Sequence, residues 1–116
     1  MYKFIILFAQ PKDLQTFEDA YNDLLALIER MPHILRRQVN NIVGGPSGPS
    51  DYYRVLEVYF ENRETMQQAL MSSPGQEAGG EMRRFPDGSF TMMFAEVYEE
   101  QGGHTPKQEG TSDGGT

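Results

Sequence analysis

Every residue from Phe4 to Ala9 is apolar. Side chains alternate between two faces along a strand, so a strand here is apolar on both. Such a strand is buried on both sides. The predicted strand runs from Tyr2 to Gln10 and ends at Pro11. One face carries Tyr2, Phe4, Ile6 and Phe8, the other Ile5, Leu7 and Ala9. The same pattern returns in a fourth strand over 89–98, where Phe90, Met92 and Phe94 oppose Met93, Ala95 and Val97. The Phe4–Ala9 run is too short for a signal-peptide core, and Gln10-Pro11-Lys12-Asp13 follows it instead of small residues. No run approaches the ~20 apolar residues that a membrane span needs.

Between these strands the period changes. Leu14, Phe17, Tyr21, Leu24, Leu25, Ile28 and Met31 recur at helical spacing, with Asp13 as N-cap and Pro32 stopping the helix near Arg30. Residues 34–43 alternate as a second strand. Arg36, Gln38 and Asn40 on one face and Arg37 and Asn41 on the other make it an edge strand or one with a wet face. A glycine- and proline-rich loop over 44–51 leads to a third strand over 52–60. Asn62 caps a short helix, and Ser73-Pro74-Gly75-Gln76 reads as a capping-box start for another. Pro86-Asp87-Gly88 is a turn.

The order β-α-β-β-α-β, with right-handed crossovers, predicts an α+β, ferredoxin-like fold: a four-stranded antiparallel sheet with helices on one face. The other face would present a larger apolar patch than soluble monomers tolerate. A second copy related by a two-fold axis covers it without new sequence, giving a homodimer that closes a dimeric α+β barrel around a small interior. The chain of 116 residues suits one domain, expected over 1–99. The rest, 100–116, is glycine-rich and polar and is expected to be a flexible tail.

The formal charge is −7. From Glu99 onward four carboxylates face one lysine, a net −3, which leaves −4 on the body. An acidic body has no electrostatic grip on phosphates, so nucleic acid and anionic membrane are not expected partners. An RNA-recognition domain shares this element order but needs basic residues around its aromatics. The chain has no cysteine, which excludes disulfides and thiolate metal sites and fits a cytoplasmic location.

Five stretches resemble the EthD family of the dimeric α+β barrel superfamily: YKFIILFAQP, FEDAY from Phe17, MPHILRRQVNNIVGGP from Met31, YYRVLEVYF from Tyr52, and SSPGQEAGGEMRRFPDGSFTMMFAE from Ser72. The resemblance spans nearly all of 1–99. It implies a role beside a degradative oxidation and, if the chain is an enzyme, a cofactor-free oxidoreductase, isomerase or cyclase. It also implies histidines in the first helix. The matching positions here are Ala20 and Leu24 or Leu25, so the expected family acid/base is missing and a non-catalytic binding or assembly module is the alternative.

No cofactor is expected, since neither Gly44-Gly45 nor Gly79-Gly80 has a phosphate-cradle context and no metal-ligand cluster exists. Two catalytic candidates remain, Glu57 and Tyr53. Glu57 sits mid-strand among apolar neighbours. Desolvation there would raise its pKa and suit it to general acid or base work, unless it pairs with Arg36 or Arg37. Tyr53 and Tyr59, expected on the face of Glu57, would hold a hydrophobic ligand by stacking and a hydroxyl contact or fill a dimer interface. Gln38, Asn40 and Phe94 complete the predicted ligand set. His33, at the expected entry of the second strand, would be a base only if it faced the barrel.

Overall fold

The fold is seen in a computed structural model, which describes residues 1–103. The element order is β1 (Tyr2–Ala9), α1 (Leu14–Ile28), β2 (Arg36–Asn41), β3 (Tyr52–Phe60), α2 (Arg63–Met71), α3 (Ser73–Glu81) and β4 (Phe90–Glu96). The strands form one antiparallel sheet in the order β2-β3-β1-β4. This is the predicted ferredoxin-like arrangement, with β2 at an edge. Most of the expected tail, 104–116, lies outside the described residues. Among those described, no helix is long and apolar enough to cross a membrane.

The helices pack on one face of the sheet. Phe4, Ile6 and Phe8 from β1 and Leu56, Val58 and Phe60 from β3 meet Phe17, Tyr21, Leu24 and Ile28 from α1 and Met66, Ala69 and Ala78 from α2 and α3. All of these are buried. At the α1 start, Asp13 Oδ1 accepts a hydrogen bond from Thr16 N at 3.0 Å, the expected cap. Asn62 caps α2 in a capping box with Thr65.

Three local expectations shift. β2 is shorter than 34–43, although Leu35 N still donates to Tyr59 O and Ile42 N to Tyr53 O beyond its ends. β4 covers Phe90–Glu96 rather than 89–98. The cap of α3 is Ser72, not Ser73: its Oγ accepts from Gly75 N at 3.2 Å, and Pro74 falls second in the helix. Its tight approach to α2 leaves no room for a side chain at position 75, where a Cβ would lie 2.2 Å from Ala69 O.

β1 and β3 pair in register from Tyr2↔Phe60 to Phe8↔Arg54, but Ala9 then pairs with Tyr52. Tyr53 is therefore an extra residue, a β-bulge that breaks the alternation of β3 at its start.

His33 lies in the α1–β2 turn, ahead of the strand rather than at its entry, with φ of 71°. This is the left-handed region, which costs a non-glycine residue about 1 kcal/mol. His33→Gly is expected to raise stability by about 0.5 kcal/mol, after the extra chain entropy of glycine is subtracted. Urea unfolding checks it, and a loss of stability would mean that the imidazole makes a contact stronger than the strain.

Candidate functional site

The register defines the sheet face that no helix covers. Across it run Arg36, Gln38 and Asn40 of β2, Val55, Glu57 and Tyr59 of β3, Lys3, Ile5 and Leu7 of β1, and Thr91, Met93 and Ala95 of β4. The apolar members cluster toward β1 and β4, the polar ones toward β2 and β3.

At the centre is an ion pair. Lys3 Nζ lies 2.5 Å from Glu57 Oε1, with only 19% and 17% of the two side chains exposed. Asn40 Nδ2 donates to Glu57 Oε2 at 2.9 Å and to Val55 O at 3.1 Å. Tyr59 Oη lies 3.1 Å from Gln38 Oε1 and 3.3 Å from Glu57 Oε1, so its one proton is shared between them. Tyr59 is 6% exposed although it stands on the open face. The Arg36 guanidinium covers it at 4.3 Å and the Lys3 ammonium approaches at 5.1 Å.

This geometry corrects two expectations about Glu57. Its partner is Lys3 of β1, not Arg36 or Arg37 of β2. Its pKa is lowered, not raised, because the hydrogen bond from Lys3 outweighs desolvation. The same bond holds Lys3 above its ordinary value. At neutral pH the pair is carboxylate and ammonium. Neither group is poised to move a proton, and the amine is not a free nucleophile. The cluster is a fixed-charge polar floor suited to orienting a bound molecule.

Gln38, Asn40, Glu57 and Tyr59 are thus brought together as predicted. Tyr53 is not. Its hydroxyl donates to Glu18 Oε2 on α1 at 2.9 Å and its ring meets Phe17 edge-on, because the bulge turns it to the helix side. There Arg54 clamps Glu18 with two bonds of 2.8 and 3.0 Å and lies over the rings of Tyr21, Tyr53 and Phe17. Arg54 holds the Glu18 carboxyl below its ordinary value, and the bond to Glu18 raises the Tyr53 phenol. Phe94 also leaves the predicted set. It pairs with Phe4, so it shares the helix side, where it stays 61% exposed.

Lys3 was the residue missed. The signal for it was present: it is the one charge within β1, and an antiparallel pairing of the two central strands sets it opposite Tyr59, diagonal to Glu57. Ala20 and Leu24, where the resemblance implies histidines, are 2% and 1% exposed on the helix side, and Leu25 packs at the edge of the same core. Among the described residues no group of three His, Asp or Glu side chains could hold a metal ion.

The sheet order and the one-sided helical layer define a ferredoxin-like α+β protein. No family model matches the chain. An ethyl tert-butyl ether D (EthD) family protein from Bacillus halodurans superposes with a TM-score of 0.79 at 33% identity, over 84% of this chain and 99% of that one. The chain therefore belongs to the EthD family. An uncharacterized 11.0 kDa protein from the thcB–thcC intergenic region of Rhodococcus erythropolis is 27% identical over 97 residues, 83% of this chain and 94% of that protein. A dimeric ferredoxin-like protein of unknown function from Bacteroides fragilis is similar in fold, with a TM-score of 0.61 at 17% identity over 83% of this chain and 95% of that one.

Proposed function

We propose that the protein is a homodimer in which two copies of the open sheet face close an α+β barrel, and that it binds a hydrophobic small molecule there, as an accessory to a degradative oxidation, without acid–base turnover of its own. The observation that carries this reading is the face itself: Ile5, Leu7, Val55 and Met93 stand around a polar cluster whose charges are already paired. Apolar strands of this kind call for a cover. An isologous partner supplies one, and the Bacteroides fragilis protein of the same fold is dimeric. The role beside an oxidation rests on EthD family membership alone. The charge state of Glu57 and the apolar residues at the implied histidine positions favour binding over proton transfer.

Light scattering on a sizing column tests the assembly. A mass of two chains is expected, falling toward one chain in Leu7→Glu, which sets a carboxylate in the apolar half of the face. A wild-type monomer at micromolar concentration would remove the barrel and the ligand role of Gln38, Asn40, Glu57 and Tyr59 with it.

A further inference from the structure

The charges of the open face do not balance. Arg36, Tyr59, Lys3 and Ala95 form one row across the four strands, and both charges in that row are positive. The carboxylate of the face, Glu57, stands in the next row and is spent on Lys3. Each protomer therefore presents two cations and one carboxylate there, although the chain as a whole has a formal charge of −7. The charge left over is that of Arg36.

Its guanidinium is held over the face rather than out in solvent, because it rests 4.3 Å from the centre of the Tyr59 ring. Among the described residues it comes within 4 Å of one carboxylate, Glu99, at 3.8 Å. The two side chains are 47% and 66% exposed, so this is a screened surface contact that satisfies little. Gln38 follows on the same face of β2. Its Oε1 lies 3.1 Å from Tyr59 Oη, and among the described residues its Nε2 has no hydrogen-bond partner. Two sets of donors thus stand side by side, about 7 Å apart along the strand.

In the barrel of two such faces both copies of Arg36 enter one interior. A cation removed from water without a partner is strongly disfavoured, and two in one chamber more so. A ligand that brings a negative group removes that cost. A carboxylate matches the planar fork of a guanidinium with both of its oxygens. Apolar surface lies within reach of the same point. From the position of Tyr59, over which the guanidinium sits, strand and residue spacings put Ile5 about 9 Å and Leu7 about 15 Å away. Met93 stands beside Ile5 on β4.

From these observations we infer that the barrel ligand is an apolar monocarboxylate, with its carboxylate on Arg36 and Gln38 and its hydrocarbon part on Ile5, Leu7 and Met93. This deepens the barrel reading and rests on it. The Lys3–Glu57 pair takes no part in the charge recognition, since each member already neutralises the other.

The test is calorimetric titration of the full chain with octanoate and with octan-1-ol, which share an apolar chain and differ in the head group. Octanoate is expected to bind saturably and about tenfold or more tighter than the alcohol, the effect of one charge-assisted hydrogen-bonded pair. Arg36→Gln is expected to bring octanoate down to the affinity of the alcohol and to leave the alcohol itself unchanged, which shows that the chamber is intact. Arg36→Lys keeps the charge but loses the fork and is expected to fall between. Equal affinities in the wild type would overturn the inference, as would an octanoate affinity that Arg36→Gln leaves untouched. A fall of both affinities together would also overturn it, because Arg36 would then only shape the chamber. Light scattering on the same samples separates this from the barrel reading. A dimer that binds both compounds equally keeps the barrel and loses the carboxylate, whereas a wild-type monomer, or a dimer that binds neither, loses both.

Discussion

Gly75→Ala is expected to lower stability by about 3 kcal/mol, near the top of the ordinary range for a point substitution. The cause is contact with backbone rather than lost flexibility. The chain leaves α2 at Met71, turns at Ser72 and enters α3 at once. Ser72 N and Oγ both donate to Ala69 O, and Gln76 Nε2 donates to Met71 O. These bonds press the first turn of α3 against the last carbonyls of α2. A Cβ at position 75 would meet Ala69 O at 2.2 Å and Leu70 O at 2.6 Å. Carbonyls fixed in a helix cannot swing aside as a side-chain end does, so the two helices must separate. Gly79 is the internal control. A Cβ there meets nothing within 4 Å, and Gly79→Ala is expected to gain about 0.5–1 kcal/mol from helix propensity. Thermal unfolding of the two variants should therefore move in opposite directions. The drop for Gly75→Ala is expected to be roughly 12–24 °C, given about 4–8 °C per kcal/mol for a domain near this size. A Gly75→Ala protein as stable as the wild type would mean that the α2–α3 corner is looser than described.

The Lys3–Glu57 pair provides the second large effect. Lys3→Met is expected to cost about 2 kcal/mol, below the 3–5 kcal/mol of a fully buried broken pair because about a fifth of each side chain still meets water. Replacing both members, as in Lys3→Met with Glu57→Met, is expected to recover much of that loss, since no charge is then left unpaired. The pH dependence follows from the signs. Glu57 has its folded pKa below the ordinary 4.5. Its contribution is complete above that value and is lost as pH falls through the folded one. Lys3 has its folded pKa above 10.5. Its contribution is complete below 10.5 and is lost as pH rises through the folded one. The pair therefore stabilises fully between about pH 4.5 and 10.5. In Lys3→Met the largest cause of the Glu57 shift is gone, and the acid limb of the stability curve should move to higher pH. Carboxyl-carbon NMR titration of Glu57 in both proteins reads this directly, and an unchanged Glu57 midpoint would refute the pairing.

Periodicity carried most of the fold. β1 is apolar on both faces and α1 has one wide stripe, and both patterns follow from burial, which leaves a mark on composition. The order of elements then leaves little choice of sheet. What periodicity lacks is pairing. Glu57 looked desolvated because its neighbours along the strand are apolar, yet its charge is set across the sheet by Lys3, 54 residues away. Phe94 looked like a barrel residue because both faces of β4 are apolar, and only the pairing with Phe4 assigns its side. Arg36 was in sight as a possible ion-pair partner, but its guanidinium caps the Tyr59 ring instead. Cross-strand distances decide these matters, and composition does not encode them.

The extra residue at the start of β3 acts as a shift of phase. Because of it, Tyr53 and Arg54, neighbours in sequence, both lie toward α1, while Val55, Glu57 and Tyr59 keep to the opposite surface. Tyr52, opposite Ala9, already stands on the open face. A relative shorter by one residue here would regain strict alternation, with one tyrosine still on the open face and none turned toward Glu18. A single-residue deletion, with no substitution at all, would then take a hydroxyl from the helix side and leave the open face as it was.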